Sequence, residues 1–271
     1  MKTIELANKT ISTKLPAFVM GILNVTPDSF WKSSRGNIAS AFKIIEAGAD
    51  IIDIGGESTR PGSSYISEQE ELDRIIPVIR EIRKNSDIPI SVDTRKKNVM
   101  KAAFEEGADM LNDISALEDD CELVHFVAKS KIPVVLMHKR GIPKEMQSNT
   151  IYTDVFQEVN DYLCARAKFA EENGVESKKI IIDPGIGFGK NLESNVALIK
   201  NCGKLCSGQY KIMMALSRKT CIGEMTNQEV DKRLSGTLAA NLVSVINGAS
   251  ILRVHDVAET IDTMKVLSYV V

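Results

Sequence analysis

One feature constrains this chain more than any other: short, almost wholly apolar β-rich runs alternate eight times with longer helical segments. The runs are Phe18–Val25, Ile51–Ile54, Ile90–Asp93, Met110–Asp113, Pro133–His138, Ile180–Asp183, Lys211–Leu216 and Ile251–His255. Helical patterning covers about residues 37–48, 67–84, up to 106, 121–130, 152–173, 192–202, 231–247 and a last stretch to 269. Strands apolar along their whole length must be buried on both faces, which parallel strands with covering helices achieve. Alternating β and α elements with short links therefore predict a parallel sheet.

Two parallel architectures compete, and the strand count separates them. An open doubly wound sheet has about five or six strands and a Gly-rich fingerprint in its first crossover. Here the first loop reads Asn24-Val-Thr-Pro-Asp-Ser-Phe30, which cannot make that fingerprint. Eight units close a barrel, so the expectation is one α/β domain over residues 1–271, a single (β/α)8 TIM barrel. Three predicted helices run into Gly-Ala before the next strand, at Ala47-Gly-Ala49, Glu106-Gly-Ala108 and Asn247-Gly-Ala249. Glycine there suits a left-handed C-cap. Residues 1–17 read as a short N-terminal β-hairpin, Ile4–Leu6 returning as Thr10–Ser12, placed to plug the barrel bottom.

Composition narrows the partners. Apolar residues at 44% and charged residues at 26% are ordinary for a soluble globular protein. A net charge of −2 gives no basic footprint for nucleic acid, so an anionic substrate must be held by a few local cations. No stretch approaches the roughly 18 apolar residues of a membrane span. The first residues carry Lys2, Glu5 and Lys9 without an apolar signal core, which predicts a cytoplasmic protein. The five cysteines (Cys121, Cys164, Cys202, Cys206, Cys221) are scattered without a Cys-x-x-Cys pair. They read as reduced thiols and not as a structural metal site, with Cys202 and Cys206 on one face of a predicted helix.

Chemistry in such barrels sits at the carboxyl ends of the strands. Those ends carry Asn24, Asp53, Asp93, Asn112, His138, Asp183, Lys219, Arg253 and His255. Any one of them could merely cap a helix or turn, but nearly every run ends this way. Asp93 and Asp183 close apolar runs, and a buried carboxylate is expensive unless paired or hydrogen-bonded. With the Asn112 amide they suit a ligand edge rich in N–H donors, such as the aminopyrimidinone edge of a pterin or guanine. The competing reading is an internal salt bridge, with Lys219 as the partner. Arg253 and His255, two apart on a strand, point the same way and suit an anion. Lys219, from Leu216-Ser-Arg-Lys219, adds a third cation. His138 reads as a satisfied supporting group and His125 as structural. Gly185-Ile-Gly-Phe-Gly-Lys190 matches neither nucleotide-binding spacing and reads as a flexible rim.

The motifs resemble dihydropteroate synthase. The likeness runs through Met20-Gly-Ile-Leu-Asn-Val-Thr-Pro-Asp-Ser-Phe30 and Gly48-Ala-Asp-Ile-Ile-Asp-Ile-Gly-Gly-Glu-Ser-Thr-Arg-Pro-Gly62. It continues in Ser91-Val-Asp-Thr94, Leu111-Asn-Asp-Ile-Ser115, Val135-Leu-Met-His138, Ile182-Asp-Pro-Gly-Ile-Gly-Phe-Gly189, Leu216-Ser-Arg-Lys219 and Arg253-Val-His-Asp256. The resemblance implies a transferase of folate biosynthesis, joining p-aminobenzoate to 6-hydroxymethyl-dihydropterin pyrophosphate; a good leaving group and a weakly nucleophilic aniline predict an S_N1-like displacement. It implies that Asp93, Asn112, Asp183 and Lys219 hold the pterin, with Met137 and Phe188 on its faces. Asn24, Arg60, Arg253 and His255 would hold the pyrophosphate, with Mg²⁺ on Asn24. Asn24, Lys219, Arg253 and His255 would carry the catalysis. Thr26, Pro27 and Phe30 from the first loop, Thr59, Arg60 and Pro61 from the second, and Phe188 and Thr220 would shape the p-aminobenzoate pocket. A homodimer through Leu234–Ile246 is also implied.

Two departures from the family pattern stand out. Trp31-Lys-Ser-Ser34 replaces the usual Ser-Asp-Gly-Gly after Phe30, and Thr220 replaces the usual Ser. Both predict unusual sulfonamide sensitivity. A methyltetrahydrofolate-binding methyltransferase is the nearest rival, but it has no pyrophosphate to occupy Arg253, His255 and Lys219. A non-catalytic pterin-binding barrel is the other, and the retained Asn24, Thr26, Pro27, Asp28 and Phe30 oppose it.

Overall fold

The computed structural model describes residues 1–25, 34–59, 62–141, 146 and 149–270. A two-stranded antiparallel hairpin, β1 (Lys2–Glu5) and β2 (Thr10–Thr13), opens the chain. Eight parallel strands follow: β3 (Phe18–Asn24), β4 (Ile51–Gly55), β5 (Ile90–Asp93), β6 (Met110–Asp113), β7 (Val134–Met137), β8 (Ile180–Asp183), β9 (Lys211–Met214) and β10 (Ile251–Val254). They close as a barrel in chain order, β10 pairing back onto β3 through Ile251 opposite Phe18. The single barrel with an N-terminal hairpin is thus as the alternation predicts.

The helices are α1 (Ser34–Glu46), α2 (Glu68–Asn85), α3 (Lys97–Glu105), α4 (Leu123–Ser130), α5 (Val155–Glu172), α6 (Leu192–Asn201), α7 (Thr220–Thr226), α8 (Leu234–Ile246) and α9 (Val257–Val270). Side-chain caps start several of them: Ser67 Oγ accepts from Glu70 N on α2, and Asp154 and Asn191 do the same for α5 and α6. After β9 the sequence predicts one helix, residues 231–247, whereas the structure has two. Asn227 ends α7 in the left-handed conformation (φ +52°), and the chain turns before α8. Arg233 then packs where a Cβ on Gly223 would lie, 2.4 Å from its Nε.

The barrel interior is layered by the two-residue period of its strands. Its lower layer is apolar: Phe18, Met20, Ile51, Met110, Val135, Ile181, Met213 and Ile251, closed from below by Ile4 and Leu6 of the hairpin. Two residues further along, six of the strands carry Asp53, Asp93 (beyond Ser91), Asn112, Met137, Asp183 and Arg253 on the same face. The polar layer therefore rests on a packed floor.

The cysteines depart from expectation. Cys164 and Cys206 form a disulfide with Cα atoms 5.5 Å apart, tying α5 to the connection between α6 and β9. Cys206 and Ser207 both have positive φ (44° and 54°), so Cys206 leaves the helical face that spacing would give it beside Cys202. Cys121, Cys202 and Cys221 are free thiols. Among the described residues no helix is long and apolar enough to cross a membrane.

Candidate active site

Arg253 ties two carboxylates of the polar layer together. Arg253 donates from Nε to Asp53 Oδ2 (2.6 Å) and from Nη2 to Asp93 Oδ2 (2.8 Å). Asn112 Nδ2 adds a bond to Asp53 Oδ2 (3.1 Å). Asp53 is fully buried and its Oδ1 has no hydrogen-bond partner among the described residues. Burial pushes the Asp93 carboxyl up to about 7, with Arg253 pulling it back and Asp53 adding to the rise. The internal salt bridge is thus real, but its cation is Arg253 and not Lys219. Asp53, counted among the strand ends without a role, is its anchor.

Asp183 lies across the ring from this triad. Burial raises its carboxyl, opposed by Lys219 and by a hydrogen bond from Gly185 N (2.7 Å). Burial brings the Lys219 ammonium down to about 8, against the pull of Asp183. Lys219 donates to Ile186 O and lies 4.9 Å above the Phe188 ring, a cation–π contact. Met137, at the end of β7, is buried in the same wall. Asp93, Asn112, Asp183, Lys219, Met137 and Phe188 therefore converge at one mouth.

Other expectations separate. Arg253 points into the ring, whereas His255 is exposed beyond the end of β10, its N and Nδ1 both on Ser217 Oγ (3.1 and 3.0 Å). Asn24 ends β3 and is half-buried; Thr59 is half-buried; Thr220 is exposed at the first position of α7. Thr26, Pro27, Phe30, Arg60 and Pro61, with Trp31 to Ser33 of the altered loop, lie outside the described residues.

The Gly185–Lys190 segment is no loose rim. Gly185 (φ +66°) passes so close to β7 that a Cβ would meet His138 O at 1.9 Å. Lys190 is buried beneath the segment, its Nζ bonded to Gly185 O, Phe188 O and His138 Nδ1. A second unforeseen cluster holds the loop after β4: Glu57 accepts from Lys96 Nζ (3.0 Å), Arg95 Nε (3.1 Å) and Ile66 N (2.7 Å), and Lys96 also reaches Glu71 (2.5 Å). In sequence these lysines and glutamates look like solvated helix and loop charges. His138 does prove to be a supporting group.

A family model described as "Pterin binding enzyme" matches residues 20–255. The dihydropteroate synthase of Escherichia coli (strain K12) is 43% identical over 254 residues, covering 92% of this chain and 90% of that protein. The chain belongs to the dihydropteroate synthase family. Dihydropteroate synthases are transferases, and this chain is one. Two solved family members share its fold over nearly their whole length. That of Xanthomonas albilineans with 4-aminobenzoic acid has a TM-score of 0.91 at 41% identity, covering 99% of this chain and 97% of that one. That of Yersinia pestis in complex with a sulfonamide drug has a TM-score of 0.93 at 36% identity, covering 99% of each.

Proposed function

We propose that this chain joins p-aminobenzoate to 6-hydroxymethyl-7,8-dihydropterin pyrophosphate in the barrel mouth, giving 7,8-dihydropteroate and pyrophosphate. The observation that carries this reading is the buried ring itself: Asp93, Asp183 and Asn112 offer acceptors to the N–H edge of a pterin, beside the cations Arg253 and Lys219. Asp183 and Lys219 take one side of the bicycle, Asp93 and Asn112 the other, and Met137 and Phe188 its faces. When the pterin N–H groups reach Asp93, they replace the Arg253 contact. Arg253 keeps Asp53 and turns its remaining donors to the pyrophosphate, joined by His255, Asn24 and Arg60.

Mg²⁺ fits this donor set as a partner of the pyrophosphate and not as a resident ion. Among the described residues no three His, Cys, Asp or Glu side chains gather into a metal cage. The hard oxygen donor on the pyrophosphate side is the Asn24 amide, and Mg²⁺ is commonly held by one or two protein oxygens plus phosphate. Bound there, it would neutralise charge developing on the leaving group. Arg253 does the same from the ring. The C–O bond of the exocyclic carbon breaks with its electron pair passing to pyrophosphate, and the buried carboxylates stabilise the electron-poor pterin. The aniline nitrogen then attacks the exocyclic carbon and gives up one proton to the released pyrophosphate, an S_N1-like order of events. Isotope scrambling within the pyrophosphate before p-aminobenzoate is added tests it.

By the family resemblance, we assign the p-aminobenzoate pocket to Thr26, Pro27, Phe30, Thr59, Arg60, Pro61, Phe188 and Thr220. We expect sulfonamide inhibition to differ from that of the family pattern through Trp31–Ser34 and Thr220; equal inhibition constants after restoring Ser-Asp-Gly-Gly together with Thr220→Ser would refute this. The chain works as a homodimer through α8, whose Val243 and Ile246 are exposed; a monomer in sedimentation would refute it. The function itself is tested with pterin pyrophosphate and labelled p-aminobenzoate. Product and pyrophosphate should appear together, and Asp183→Ala and Arg253→Ala should abolish both. A methyltransferase or a non-catalytic barrel would release no pyrophosphate.

A further inference from the structure

We infer that Lys190 and His138 form a buried latch that fixes the Gly185–Gly189 segment over the ring and thereby sets the pterin affinity of the site. The latch rests on the pterin reading above and adds two positioning residues to it. An ammonium has three protons to donate, and Lys190 places Nζ on three acceptors: His138 Nδ1 at 2.9 Å, Gly185 O at 2.9 Å and Phe188 O at 3.0 Å. Two of these lie on the segment and the third on the continuation of β7, so one buried amino group sews the segment to the wall of the barrel.

His138 is fitted for this and for little else. With Lys190 donating, Nδ1 keeps its lone pair and the ring proton sits on Nε2. Burial, Lys190 and Arg140 hold its pKa down at about 2, so the ring is neutral. Tyr162 packs edge-on against the ring at 4.9 Å. His138 therefore does not serve as a proton carrier at the mouth.

The segment in turn carries two ligand-facing groups. Gly185 N donates to Asp183 Oδ1, fixing the carboxylate proposed to read the pterin edge. Phe188 lies under Lys219. Gly187 N on Asn195 Oδ1 (2.9 Å) and Tyr152 Oη on Gly189 O (2.9 Å) secure the segment elsewhere, so removing the latch loosens it without releasing it. Burial holds the Lys190 pKa well below its ordinary value, with Asp183 pulling it back up, so the three close contacts of Nζ define the latch.

The test is the dissociation constant of pterin-6-carboxylate, measured by calorimetry on the full chain. Lys190→Met leaves two carbonyls and an imidazole without their donor, and binding should weaken roughly ten- to a hundred-fold. His138→Leu removes one acceptor and should weaken it about three-fold or more, keeping the latch testable if Lys190→Met does not fold. Lys190→Arg, which restores charge and donors, should recover part of the loss. Gly21→Ala, remote from the mouth, controls for stability: it should lower the melting temperature yet bind the pterin as the parent does. Binding within two-fold of the parent by folded Lys190→Met or His138→Leu overturns the latch, as does equal weakening by Gly21→Ala. Failure of the parent chain to bind the pterin would instead overturn the pterin reading.

Discussion

Arg253→Met should destabilise the fold, and more so in alkali. Arg253 is the only cation bonded to Asp53 or Asp93 among the described residues, at 2.6 and 2.8 Å, and Asp53 has no exposed surface. Removing one partner of a buried ion pair costs about 3–5 kcal/mol, because the other charge is left uncompensated. At about 3 kcal/mol the melting temperature would fall by roughly 6–12 °C for a domain approaching this size. The pH dependence follows from the carboxylates left behind. Asp93 already stands at about 7 against a reference of 3.8, and Arg253 pulls it down, so the variant raises it further. A carboxyl group whose pKa is higher folded than unfolded binds its proton more tightly in the native state. Its stability is therefore complete below the unfolded pKa and lost as pH rises through the folded one. The deficit of Arg253→Met should be smaller at about pH 6, where Asp93 holds a proton, than at about pH 9. Urea midpoints of parent and variant at the two pH values measure this. Adding Asp93→Asn should recover at least about 1 kcal/mol in alkali. A deficit equal at both pH values and untouched by Asp93→Asn would refute the reasoning.

The same groups should shape turnover: kcat/KM for the pterin substrate should rise through about pH 7 as Asp93 ionises and fall above about pH 8 as Lys219 loses its proton. Lys219→Arg should remove the alkaline limb; if that limb persists, it belongs to another group. Gly21→Ala should lower the unfolding free energy, read from urea titration, by about 1–3 kcal/mol, because the new Cβ would sit 2.4 Å from Ile44 Cγ2 and 3.0 Å from Val257 Cγ2. Thiol titration of the denatured chain should count three groups without reductant and five with it. Five in both would remove the Cys164–Cys206 bond. Its reduction should destabilise the chain by up to about 4 kcal/mol, from closing a loop of 42 residues.

Each barrel strand was visible in the sequence because burial on both faces leaves an apolar run that little else explains. The ring was visible because Asp93, Asn112 and Asp183 interrupt such runs at one end. Which charge meets which was not visible. Arg253 and Asp53 are 200 residues apart, and their pairing depends on how β10 closes onto β3 beside β4. Glu71, in the acidic first turn of α2, looks like a helix-dipole partner until Lys96 from the next unit lies under it. Lys190 follows a Gly-rich stretch and looks solvated, and only the closeness of Gly185 to β7 buries it. Cys164 and Cys206 meet because two positive-φ residues break the helix that spacing alone would continue.

The dual role of Arg253 changes how the two halves of the ring relate. A pterin-reading half and an anion-reading half would be independent if each had its own cation. Instead, two carboxylates share one guanidinium, so turning Arg253 toward an anion competes with its bond to Asp93. Pterin N–H donors on Asp93 relieve that competition; free pyrophosphate does not, since it leaves Asp93 buried without a donor. Pyrophosphate should therefore bind more tightly when a pterin already occupies the site, and by linkage the pterin more tightly with pyrophosphate. Because a charge-assisted hydrogen bond contributes about 1.5–3 kcal/mol, the coupling should reach roughly ten-fold or more. Calorimetry of pyrophosphate with Mg²⁺, with and without saturating pterin-6-carboxylate, measures it, and Asp93→Asn should abolish it. Equal affinities in the two titrations would mean that Arg253 serves both halves without exchanging partners.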